Sequence, residues 1–122
     1  MTTAALWAGV LVIGGIGAVL RFVVDRAVLA RVGGRFPFGT LAVNLSGALL
    51  LGFFGGLAFS PHVALLAGTA FVGSYTTFST WMLETQRLGE ERQVLRAFAN
   101  VAVSVVLGLA AAWLGLSIGH AL

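Results

Sequence analysis

Polar side chains recur at helical spacing within stretches that are otherwise apolar, and their types suit an ion more than a reaction. Thr40 and Asn44 stand four apart in Gly39-Thr40-Leu41-Ala42-Val43-Asn44, so they share one face of a helix. The Asn44 amide offers two donors and one acceptor. Asn100 and Ser104 repeat that spacing near the end of the chain. In Gly73-Ser74-Tyr75-Thr76-Thr77-Phe78-Ser79-Thr80-Trp81, Thr76 and Thr80 share one helical face, and Phe78 and Trp81, three apart, share another. Arg21 is a further polar side chain, and it either takes part or snorkels to an interface. Hydroxyl and amide donors, combined with aromatic edges made positive by the ring quadrupole, suit a small anion.

Each group also has a plainer role. Ser79 or Ser104 could bond back to a carbonyl of its own helix, Asn44 could join two helices, and Phe78 and Trp81 could be packing alone. Stripes on several segments of one short chain favour a shared pathway. Catalysis has no support, because no nucleophile stands with a base and neither paired carboxylates nor a metal-ligand cluster is present. A relay or proton-coupled transporter built on membrane carboxylates is disfavoured, since the central apolar runs hold no Asp or Glu.

The elements that must hold these residues follow from composition. The chain has 122 residues, 59% of them hydrophobic and 9% charged, with a mean hydropathy of +1.03. A soluble fold has nowhere to bury that much apolar surface. A crossing takes about 20 apolar residues, so the length admits four, expected near residues 4–24, 38–59, 63–83 and 97–118 in one all-α domain, 1–122. The start of the first run carries no side-chain charge, unlike a signal peptide, and it is read as a mature helix. Cysteine is absent, which excludes disulfides and thiolate metal sites.

Small residues repeat every four positions at Gly52 and Gly56, at Gly115 and Gly119, and through Ser104, Gly108 and Ala112. Such stripes let helices approach closely in lipid, so a tight and oligomeric bundle is expected. The net charge of +3 comes from seven arginines. They flank apolar runs, which reads as anchoring to headgroups and not as nucleic-acid binding. Arg21, Arg26, Arg31 and Arg35 lie at the first turn and Arg87, Arg92 and Arg96 at the third, on one side of the membrane. The positive-inside rule then puts both termini outside the cytoplasm.

With these residues in view, the chain resembles the Fluc (CrcB) family of bacterial fluoride channels over essentially its whole length. The resemblance rests on Gly14-Gly15-Ile16-Gly17 with Arg21, on Gly39-Thr40-Leu41-Ala42-Val43-Asn44, and on Thr76-Thr77-Phe78-Ser79-Thr80 followed by Trp81 and Glu84. It implies an antiparallel dimer in the bacterial inner membrane that passively exports fluoride. It also implies a third helix broken near Gly73 to Thr77, with a structural sodium ion at the dimer centre held by the Gly73 and Thr76 carbonyls. By position, Asn44 becomes a pore-lining donor, Phe78 and Trp81 the aromatic pair that meets the ion, and Thr40, Thr80, Asn100 and Ser104 parts of the polar path. Arg21 and Gly47 become structural.

The chain departs from the family pattern at four places. Trp81 stands where phenylalanine is usual, Ser74 where a second glycine is, Tyr75 where an apolar residue or phenylalanine is, and Asn100 where tyrosine is. The one-sided arginines add a further expectation, because a chain that inserts both ways should balance them. A fixed orientation implies a paralogous partner subunit of opposite orientation.

Overall fold

The computed structural model describes residues 2–122, and among them all regular structure is helical. Helix α1 covers Thr3–Val32 and α2 covers Phe38–Leu57. A third crossing is composite: α3 (Pro61–Ala64), a π-helical segment Leu65–Val72, and α4 (Gly73–Tyr75) lead to an interruption, after which α5 (Ser79–Glu90) resumes. Helix α6 covers Val94–Ala121.

Local chemistry sets these boundaries. The Thr2 hydroxyl accepts from the Ala5 N–H at 3.1 Å and caps the start of α1. At the other end Gly33 and Gly34 take φ of 63° and 83°, which a side chain would disfavour, and Pro37 precedes α2. Helix α1 is longer than the expected crossing. Its 30 residues correspond to about 45 Å against a hydrocarbon core of about 30 Å, so its last turns, with Arg26 and Arg31, reach past the apolar layer. Helix α2 ends in the left-handed Ala58 (φ 54°), which directs the chain through Ser60 into α3.

Three helices, α1, α2 and α6, are each long and apolar enough to cross a membrane. The third crossing is made of two pieces, the apolar one before the interruption and the amphipathic α5 after it. Together they complete a multi-pass, four-crossing bundle.

Helix α2 is central, lying along α6 on one side and against α1 and the third crossing on the other. Glycine makes the α2–α6 approach possible. A Cβ on Gly56 would lie 2.6 Å from the Leu116 carbonyl oxygen, and Cβ atoms on Gly52, Gly115 and Gly119 would collide with the backbones of Ala112, Leu49 and Phe53. The expected Gly52/Gly56 and Gly115/Gly119 stripes are therefore the two faces of one contact. Gly108 differs: a Cβ there would meet open space. Against α1, a Cβ on Gly17 would come within 2.6 Å of the Phe71 carbonyl oxygen, which seats the π-helical segment on the Gly14 to Gly17 run.

The interruption lies further along the chain than Gly73. Gly73 keeps helical angles (φ −60°, ψ −35°), whereas Thr76 is extended (φ −81°, ψ 163°) and α5 begins at Ser79. Its cause is a competing hydrogen bond from α2, described next. One consequence corrects the reading of Thr76 and Thr80 as neighbours on a single helical face, because the interruption falls between them.

Candidate functional site: a broken helix beside a polar cavity

Asn44 of α2 holds the interruption open. Its Oδ1 accepts from the Thr77 N–H at 2.9 Å, and its Nδ2 donates to the Thr77 carbonyl at 2.8 Å. In an unbroken helix the Thr77 N–H would serve the Gly73 carbonyl, so Asn44 substitutes for the helix and frees that oxygen. A second substitution follows at once. The Thr80 N–H, which would serve the Thr76 carbonyl, donates to Thr77 Oγ1 at 3.2 Å and starts α5. The carbonyls of Gly73 and Thr76 have thus both lost their helical donors, for two separate reasons.

Neighbouring side chains brace the same place. Thr76 bonds back through Oγ1 to the Val72 carbonyl at 2.9 Å, and a Cβ on Gly47 would collide with the Thr76 methyl, so glycine at 47 makes room for it. Tyr75 is buried and stacked on Phe71, with ring centroids 6.0 Å apart. Its hydroxyl shares a 2.8 Å hydrogen bond with Ser46, and Ser46 also donates within α2 toward the Ala42 carbonyl. Tyrosine at 75 is therefore a polar tie between the third crossing and α2. Ser74 lies against α1, its Oγ 3.1 Å from where a Gly14 Cβ would sit.

Beside the interruption is a cavity of about 210 Å³, lined by Ala18, Arg21, Phe22, Asp25, Thr40, Val43, Thr77 and Thr80. Arg21 is half-buried in its wall. Thr40 is buried and donates its hydroxyl to Glu84 of α5, which ties α2 to α5. Asp25 packs against Gly39 and has one carboxylate oxygen that is buried and without a partner among the described residues. The wall thus carries both signs of charge, with the Thr77 and Thr80 hydroxyls and Arg21 available as donors.

The aromatic pair lies at the start of α5. The rings of Phe78 and Trp81 meet edge to face, with centroids 5.7 Å apart and planes at 82°. Phe78 is 70% exposed on the single chain, and Gly73 is exposed as well. Trp81 is held differently: its Nε1–H donates to the Asn100 carbonyl at 3.2 Å. Asn100, only 1% exposed, donates its amide to Thr85 Oγ1 at 2.9 Å. The Ser104 hydroxyl is buried and has no partner among the described residues.

Asn44, Thr40, Thr80, Thr76, Gly47 and Arg21 are thus gathered around the interruption and its cavity, while Trp81 and Asn100 join α5 to α6 and Ser104 lies one turn further along α6. Sequence reasoning did not single out Thr77, Asp25, Ser46 or Thr85. Thr77 was legible as an N-terminal cap three residues before Thr80, and Asp25 as the carboxylate one turn beyond Arg21. Ser46 and Thr85 left no sequence signal, because their partners, Tyr75 and Asn100, lie on other helices.

Comparison with known proteins places the chain among relatives. The family model described as "CrcB-like protein, Camphor Resistance (CrcB)" matches residues 8–116. The "Fluoride-specific ion channel FluC 2" of Mycolicibacterium paratuberculosis is 72% identical over 94% of this chain and 94% of its own length. A protein of the same title from Mycobacterium tuberculosis (strain ATCC 25618 / H37Rv) is 68% identical over 93% of this chain and 90% of its own length. The "Fluoride-specific ion channel FluC 1" of Symbiobacterium thermophilum is 47% identical over 93% of this chain and 96% of its own length. This four-crossing chain, matched by the family model over residues 8–116 and by such relatives over most of its length, belongs to the CrcB family.

Proposed function

We propose that this chain is a subunit of a fluoride-selective passive channel that exports cytoplasmic fluoride through the inner membrane and so protects against fluoride toxicity. The observation that carries the reading is the edge-to-face Phe78–Trp81 pair, which stands between Thr77 and Thr80 of the cavity wall on one side and α6 on the other. Positive ring edges and hydroxyl donors can replace part of the hydration shell of a small anion without fixing it tightly. Arg21 supplies the positive field in the cavity, offset by Asp25. Relatives titled fluoride-specific ion channels support the choice of ion. Expression in bacteria lacking their own fluoride exporter, together with a partner chain if one is needed, should restore growth in millimolar-range fluoride. No gain in resistance would count against the function.

The exposed Phe78 and Gly73 support a second subunit, in the antiparallel arrangement expected of the family. Relatives numbered 1 and 2 support a paralogous partner. The freed carbonyls of Gly73 and Thr76 fit a sodium ion, whose hard charge prefers oxygen ligands, and matching carbonyls of the second subunit would complete the shell. Bound there, sodium would neutralise carbonyl dipoles that the interruption leaves unpaired. Exchanging sodium for a bulky organic cation should impair dimer assembly or conduction, and indifference to the exchange would remove the sodium site.

A further inference from the structure

Trp81 and Asn100, on neighbouring helices, are joined by a closed circuit of hydrogen bonds. The Trp81 indole N–H donates to the Asn100 carbonyl at 3.2 Å, the Asn100 amide donates to Thr85 Oγ1 at 2.9 Å, and Thr85 Oγ1 donates to the Trp81 carbonyl at 2.9 Å. The circuit begins and ends on Trp81 and spans α5 and α6. An isolated indole in an apolar setting could swing about two side-chain torsions. Here the ring is fixed at its nitrogen by α6, and the α6 residue that fixes it is itself tied back to α5.

The geometry points to Asn100 and Thr85 as positioning residues: they hold the Trp81 indole so that it meets Phe78 edge to face in the ion path. This inference rests on the channel reading given above. Phenylalanine at 81 would have no N–H with which to enter the circuit, and the Asn100 side chain enters it only through the hydrogen bond from its amide to Thr85.

The circuit has a consequence for Ser104. Its hydroxyl stands four residues after Asn100, where a serine usually bonds back to the carbonyl of residue i−4. With that carbonyl taken up by the indole, Ser104 keeps a buried hydroxyl without a partner among the described residues.

Two readouts on the detergent-solubilised chain and on its liposomes test the proposal. In a 15N-labelled sample the three tryptophans give three indole N–H resonances, with that of Trp81 assigned by its loss in Trp81→Phe. Thr85→Val should shift the Trp81 resonance, leave those of Trp7 and Trp113 in place, and be reversed by Thr85→Ser. The unmoved Trp7 and Trp113 signals report that the variant has folded. A Trp81 resonance unchanged by Thr85→Val would overturn the positioning role, whether or not the protein conducts.

In fluoride efflux, Thr85→Val should slow the Trp81 channel roughly three- to tenfold, the scale of one interhelical hydrogen bond, and have little effect in a Trp81→Phe background. Equal losses in both backgrounds would reduce Thr85 to a packing role. If the unsubstituted protein conducts no fluoride either alone or with a paralogous partner chain, the channel reading fails, and the resonance experiment still decides the circuit.

Discussion

Asn44 shows how far one amide can shape a membrane helix. By offering both a donor and an acceptor to Thr77, it satisfies the two backbone groups that the interruption exposes and leaves the Gly73 oxygen free. The amide presents its donor and its acceptor side by side on one planar group, which matches the C=O and N–H of a single residue. Asn44→Asp keeps the acceptor but sets a carboxylate oxygen against the Thr77 carbonyl, losing one buried hydrogen bond. The thermal unfolding of the purified protein in detergent should fall by about 1–3 kcal/mol, the usual cost of a buried polar group left unsatisfied. An unchanged unfolding midpoint would mean that Asn44 does not hold the break. The polar character of Asn44 was legible in the sequence as a costly amide within an apolar run. Its partner was not, because a bond to the backbone of Thr77 leaves no mark on the residue type at position 77.

At the scale of elements, the glycine stripes were the most legible feature. Four-residue spacing of small side chains on α2 and α6 translates directly into backbone contact, and both stripes are used. A Cβ on Gly115 would collide with the Leu49 carbonyl, and neither backbone can move without separating the helices. Gly115→Val should therefore lower stability by about 1–3 kcal/mol or more, as overpacking does, and shift the protein toward aggregates in gel filtration. Wild-type elution and stability would contradict the α2–α6 packing. The third crossing was less legible. Glycine at 73 marked a weak point, yet the helix continues through Tyr75, since glycine permits a break and the competing bond from α2 decides where it falls. The separation of Thr76 from Thr80 follows from that same bond. Helical periodicity assumes an unbroken helix, so it could not reveal it.

Across the whole molecule, the four crossings alternate in direction, and the arginines other than Arg21, which lies inside α1, gather at the ends where α1 meets α2 and α5 meets α6. That asymmetry requires only the sequence and the order of elements, which is why it could be read early. We expect a reporter fused to the C-terminus to be active on the non-cytoplasmic side only, and comparable signal from both sides would contradict a fixed orientation. The exposed ring of Phe78 belongs to this scale as well, because a large apolar side chain 70% exposed on the single chain is left largely unpacked by its own helices.

The central claim is that fluoride crosses the membrane past the Phe78–Trp81 pair. Fluoride efflux from liposomes containing this chain, alone and with its partner chain, tests it most directly, with Phe78→Ile in parallel. The account predicts rapid fluoride release from the complete channel, no comparable release of chloride, and loss of release in Phe78→Ile although the protein still assembles. Undiminished release through Phe78→Ile, or none through the unsubstituted pair, would contradict it.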